Sequence, residues 1–214
     1  VGGAGAGGLC ATANFVAPGV FGGYGTGGPQ FKRTDGTGGT ANLPFVEGIF
    51  WPRGTTPITS QGTTYAFPNT GGRRWDAIRN ALGLVDQDNH PWSIRLDDQP
   101  GVDRRGIGMH ANSGITFDLD KLRLAGESFD AVSGVAGLNW TYFGDPVADI
   151  EVWVLVDGVL KYHQFFKQNV RMYEAFTVSL PPDSHYLSLA ATDYNGIPQD
   201  DHAVFADEAL VRNP

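Results

Sequence analysis

Five histidines (His90, His110, His163, His185 and His202) and 23 acidic residues carry the side chains with which this chain could do chemistry. No two histidines fall at i, i+2 or i, i+4, so no local pair is set to clasp a transition metal. The carboxylates single out no pair for glycoside hydrolysis. No GxSxG elbow, HExxH, P-loop or EF-hand loop is present. Gly23-Tyr24-Gly25-Thr26-Gly27-Gly28 matches GxGxxG by letter, but Pro29 follows and no helix pattern begins there. The match therefore lacks the helix N-terminus that would face a pyrophosphate. Cys10 stands alone in a Gly-rich segment, which rules out an internal disulfide and gives no metal-binding spacing. These absences point to a binding or building module and not to an enzyme.

Two chemistries stay open. Hard cations take oxygen ligands from loop carboxylates and carbonyls. Asp193-Tyr194-Asn195-Gly196, Asp200-Asp201 and Asp207-Glu208 crowd acids around the last two strand ends. Asp193, Asp201 and Asp207 are thus candidate ligands for a structural Ca2+, with a solvated acidic rim as the plainer alternative. Sugars, in turn, offer an apolar C–H face to an aromatic ring and hydroxyls to Asp, Asn or His. Three segments have that mix: Gly137 to Asp145, His90-Pro91-Trp92 and Asp193-Tyr194-Asn195. Trp140, Tyr142 and Tyr194 are the candidate stacking rings, with Trp92 beside them. Asn195, His202 and Asp145 are the candidate hydroxyl partners. Core packing is the competing role for any one of these rings. Asn139-Trp140-Thr141 is formally an N-glycosylation sequon, with meaning only in a eukaryotic secretory protein.

The elements that must position these residues are strands. The chain has 214 residues, 41% hydrophobic and 18% charged, with 30 glycines, a balance that favours an all-β fold. Its net charge of −8 repels nucleic acid, and no apolar run is long enough to span a membrane. Residues 1–40 read as a Gly-rich extension, a possible assembly arm, and residues 41–214 as one β-sandwich domain. LPFVEGIFWP and TTYAF read as strands. Trp75, Ile78 and Leu82 at i, i+3, i+7 predict a helix over 73–82, closed by Gly83. Residues 83–106 read as a long acidic loop. Ile115, Phe117 and Leu119 then point one way, and Ile150, Val152, Val154 and Val156 form the clearest alternation. Asp157-Gly158 is a hairpin turn. Alternation resumes at Phe176, Val178 and Leu180, then Leu187, Leu189 and Ala191, and ends in AVFADEALV. Short strands at this spacing predict an antiparallel sandwich with one or two short helices. His110 and His202 are expected to be neighbours on adjacent strands, in a hydrogen-bonded structural role.

GIGMHANSGITFDL, EVWVLVDGVLKY, LSLAATDYNG and DHAVFADEAL together resemble the NPCBM domain, a carbohydrate-binding module type related to family 51 modules. The resemblance covers about residues 104–212. His110 matches the family's Gly-x-His-Ala turn, Asp157-Gly158 its strand-joining Asp-Gly, and His202, Ala203, Ala206 and Asp207 its closing His-Ala-x-x-Ala-Asp. Phe205 stands where Trp is common. The resemblance implies a galactose-binding-like (jelly-roll) β-sandwich, secreted or at the cell surface, often with structural calcium. Two functions follow as expectations. One is a non-catalytic carbohydrate-binding module with a Kd of roughly micromolar to millimolar. The other is a structural subunit whose Gly-rich arm docks on another copy by edge-strand addition, giving a homo-oligomer.

Overall fold

The computed structural model describes residues 30–34, 43–68, 70, 78–79, 84–85, 91–92, 94–96, 104–139, 148–196 and 201–212. In chain order the strands are β1 (Phe31–Arg33), β2 (Val46–Phe50), β3 (Gly54–Pro57), β4 (Thr64–Phe67), β5 (Ile78–Arg79), β6 (Leu84–Val85) and β7 (Pro91–Trp92). They continue with β8 (Gly106–His110), β9 (Ser113–Asp118), β10 (Ala131–Leu138), β11 (Asp149–Val156), β12 (Val159–Lys167), β13 (Tyr173–Ser179), β14 (Tyr186–Asp193) and β15 (His202–Val211). One helix, α1 (Leu119–Leu124), follows β9, and Asp118 caps it by accepting the Lys121 backbone N–H. That bond satisfies one of the amides a helix start leaves open.

Two antiparallel sheets face each other: β1-β2-β9-β14-β11-β12 and β13-β10-β15-β8-β5. Alternation along each strand puts one side chain set between them. Ile150, Val152 and Val154 of β11, Leu187 and Leu189 of β14, Ile115 and Phe117 of β9, and Phe205 of β15 meet in one buried cluster. The expected antiparallel sandwich is therefore the fold.

Both outer faces carry further cover. On the six-stranded sheet, Phe50, Trp153, Leu155 and Ala190 form a second cluster with Ile58 and Phe67 around the β3–β4 hairpin. Phe50 needs Gly114 opposite it, where a Cβ would overlap its ring. On the five-stranded sheet, Ile94 and Leu96 pack on Val204 and Ala206. β11 is consequently buried at every position, not only on alternate ones.

The helix expected over 73–82 gives way to a strand at Ile78–Arg79, which pairs with Met109 and Gly108. Ile78 enters the sandwich core, and tertiary burial of a β-branched side chain outweighs the local 3.6-residue pattern. The remaining residues of that stretch lie outside the described ones. Residues 83–106, read as a loop, include the paired β6 and β7 and the buried side chains of Ile94 and Leu96. Phe31–Arg33, within the span read as an extension, pairs with β2 as the edge of the six-stranded sheet.

Asp157 and Gly158 turn β11 into β12 with φ of 50° and 78°, the left-handed pair that a two-residue hairpin requires. Asp157 Oδ1 also accepts the backbone N–H groups of His185 and Tyr186. Nearby, His185 Nδ1 lies 2.7 Å from Asp120 Oδ2, and that carboxylate raises the imidazole pKa. The raised value means that its stabilisation is present at low pH and is lost as pH rises through the folded value. An NMR titration is expected to show the His185 pKa falling toward the ordinary histidine value in Asp120→Asn. An unchanged pKa would refute the pairing.

Candidate functional site

Register fixes which residues share an end of the sandwich. His202 pairs with His110, Ala203 with Leu138, Asp193 with Ile150, Ala191 with Ser113, and Lys167 with Asp149. The close of β8, β10, β12 and β14 and the start of β9, β11 and β15 therefore lie together. Ala111 and Asn112 carry the chain from the five-stranded to the six-stranded sheet at this same end.

Backbone groups at such a corner are taken from water without a ladder partner, so side chains must satisfy them. Asn112 Oδ1 accepts the Asp193 N–H at 2.9 Å. The Ala111 N–H donates to the Asp201 carbonyl at 2.9 Å, and the Asp149 N–H donates to Asp201 Oδ1 at 2.9 Å. The Asn139 N–H reaches the His202 carbonyl at 2.8 Å. Asn112, Asp193 and Asp201 are fully buried.

The expected contact of the two histidines is present, with ring centroids 4.4 Å apart and nearly perpendicular. His110 Nδ1 lies 2.6 Å from the Ala111 carbonyl, so Nδ1 carries the proton and donates. Burial lowers the His110 pKa to about 4, against a smaller upward pull from that backbone bond. His110 is neutral at neutral pH and belongs to the frame of the corner. His202 is 6% exposed with its ring against His110, beneath the surface.

What faces solvent is Tyr194, 49% exposed, on the turn that leaves β14. Its ring lies 4.5 Å from that of Phe165 on β12. Asn195 follows it, and Gly196 closes the turn at φ 80°. Burial raises the Asp149 pKa, against Lys167 and against the Asn195 side chain and Tyr194 backbone N–H, which lie by the carboxyl.

The structure thus brings Tyr194, Asn195, His202, Asp193 and Asp201 to one end. Asp207 is not with them. It lies six residues along β15 from Asp201, roughly 20 Å at strand rise. There it adopts φ 50° and forms an ion pair with Arg104 at 2.6 Å. Among the described residues no three His, Cys, Asp or Glu side chains gather to hold a metal ion. Trp92 lies on β7 opposite Leu84. Trp140, Tyr142 and Asp145 lie outside the described residues, between Asn139 and Ala148 of this same end. Sequence reasoning missed Phe165, Asp149 and Asn112. Phe165 had a signal, because in FFK it takes the opposite face from the core residue Phe166.

The sheet order, the His110–His202 register and the corner at Ala111-Asn112 can be set beside known proteins. The profile of the NPCBM/NEW2 domain matches residues 72–211. The chain belongs to the NPCBM/NEW2 domain family. The match begins well before residue 104 and takes in β5, β6 and β7. Among solved structures, the family 51 carbohydrate-binding module from Clostridium perfringens GH95, in complex with methyl-galactose, is similar. It has a TM-score of 0.50 and 23% identity, over 64% of this chain and 94% of that one. The M60 catalytic domain with its CBM51-1 and CBM51-2 domains, from Clostridium perfringens ZmpB, matches with a TM-score of 0.49 and 22% identity. That match covers 64% of this NPCBM chain and 14% of the ZmpB chain. CBM51-2 with GlcNAc and the INT domains of ZmpB gives 0.49 and 20%, over 79% and 38%. No curated protein matches the sequence.

Proposed function

We propose that this NPCBM chain is a non-catalytic, extracellular carbohydrate-binding module whose sugar platform is Tyr194. The observation that carries the reading is a half-exposed tyrosine on a turn whose base is buried and hydrogen-bonded, with Asn195 beside it. A ring held in place offers its face to the C–H side of a sugar at little entropic cost, and an adjacent amide exchanges hydrogen bonds with hydroxyls. Phe165 backs the ring and limits its rotation. Trp140, Tyr142 and Asp145, which follow Asn139 in sequence, complete the proposed contact set. The methyl-galactose bound by a module of the same fold makes a galactoside the first ligand to try.

The assembly reading has less support. Its arm is residues 1–40, of which Phe31–Arg33 is engaged in the chain's own sheet.

Calorimetric titration with methyl galactoside tests the proposal. Tyr194→Ala is expected to weaken binding about tenfold, since a stacked ring contributes about 0.5–1.5 kcal/mol beyond its buried area. Its melting temperature should stay close to wild type because the ring is half exposed. Unchanged affinity in that variant would remove Tyr194 from the site.

A further inference from the structure

Asp201 sits at zero exposure directly before β15. From sequence it reads as a cation ligand, but its hydrogen bonds suit another task. We infer that Asp201 is a positioning residue of the sugar site, holding Asp149 and, through it, the Tyr194–Asn195 turn. The inference rests on the reading of Tyr194 as the platform.

Four observations carry it. Asp201 Oδ1 is directed at a backbone donor, the Asp149 N–H, at 2.9 Å. The Asp201 carbonyl takes the Ala111 N–H at 2.9 Å, so the residue is tied to the corner as well as to β11. Ile150, next to Asp149, pairs with Asp193 at the base of the Tyr194–Asn195 turn, and the Tyr194 N–H and Asn195 side chain lie by the Asp149 carboxyl. On the other side of the turn, Asn112, next to Ala111, holds the Asp193 N–H at 2.9 Å. Asp193 and Asp201 are therefore both held by one corner. A buried carboxylate is costly unless its oxygens accept hydrogen bonds, and one spent on backbone amides fixes geometry. A platform held in its bound conformation avoids the ordering cost of binding.

The test uses the full chain and methyl galactoside, comparing wild type, Tyr194→Ala, Asp201→Ala, Asp201→Asn and wild type dialysed against EDTA. Asp201→Ala is expected to weaken binding about tenfold with its circular dichroism unchanged, because the turn regains freedom that binding must remove. Asp201→Asn keeps an oxygen at Oδ1 and should bind within roughly threefold of wild type, since a neutral acceptor still takes an amide N–H. EDTA should change nothing. Hydrogen exchange at the Tyr194 amide should quicken in Asp201→Ala and return to the wild-type rate in Asp201→Asn.

Unaltered affinity and exchange in Asp201→Ala would overturn the inference. So would equal losses in both variants together with weakening by EDTA, the pattern of a cation ligand. Should Asp201→Ala not fold, Asp201→Glu replaces it. That variant keeps the charge but displaces the oxygen, and a loss of binding and protection is again expected. Failure of the platform reading has a separate signature: wild type that binds no galactoside, or Tyr194→Ala that binds normally. The exchange measurement needs no ligand and decides on Asp201 even then.

Discussion

Trp153→Ala is expected to cost about 3–5 kcal/mol of stability, the range for removing a large buried aromatic side chain. Trp153 is 3% exposed on the outer face of the six-stranded sheet. Its ring stacks on His163 at 3.8 Å and meets the edge of Phe67 at 5.7 Å. Its Nε1–H donates to Thr192 Oγ1 at 2.9 Å, and Glu151, held by His163 at 3.0 Å, shares that network. Truncation would leave a cavity, take a donor from buried Thr192 and remove the surface on which the β3–β4 hairpin rests. A loss of that size is a large share of the roughly 5–15 kcal/mol that a domain has in all. Urea unfolding should show a lower midpoint with an unchanged slope. A shift worth under about 1 kcal/mol would mean that the second cluster is not a structural core.

Acid should destabilise the fold through His110. Its folded pKa is lowered to about 4, whereas an unfolded histidine titrates near 6.5. Between those values the unfolded chain binds the extra proton, so stability rises with pH across that window. The contribution is complete above the unfolded value and is lost progressively as pH falls toward the folded one. The difference corresponds to about 3 kcal/mol at 1.36 kcal/mol per unit. Asp149 acts in the opposite sense, because a raised carboxyl pKa favours the folded state on acidification, and it offsets part of the loss. His185 does not mask the effect, since its raised pKa places its own change at higher pH. Unfolding free energies measured from pH 7 to pH 4 should fall in wild type and stay flatter in His110→Gln. Equal slopes in the two proteins would show that His110 is not buried neutral.

Much of this arrangement was legible in the chain. Ile150, Val152 and Val154 alternate because one face of β11 meets the core, and Asp157-Gly158 can only turn tightly. His110 ends β8 and His202 begins β15, so the two face each other across the antiparallel pair. The hairpin cover was harder to see. Trp153 and Leu155 occupy the outward positions of β11, so VWVLV is a continuous apolar run, the mark of a strand buried on both faces. Ile78 misled because its spacing from Trp75 and Leu82 fits a helix, while its burial is decided by pairing with Met109, thirty-one residues away in sequence. The corner was hidden for a related reason. Asn112 and Asp149 are unremarkable polar residues until the fold brings them within hydrogen-bonding reach of Asp193 and Asp201. Of the carboxylates that crowd together by composition, Asp201 accepts a backbone N–H through Oδ1 and Asp207 pairs with Arg104.

The central claim is that the end of the sandwich carrying Tyr194 meets sugar. Mapping backbone amide shifts of the labelled full chain during titration with methyl galactoside tests it most directly. The account predicts saturable shifts at Tyr194, Asn195 and Phe165, with residues of the opposite end such as Asp120, Asp157 and His185 unmoved. Saturable shifts confined to that opposite end, or none at millimolar ligand, would contradict it.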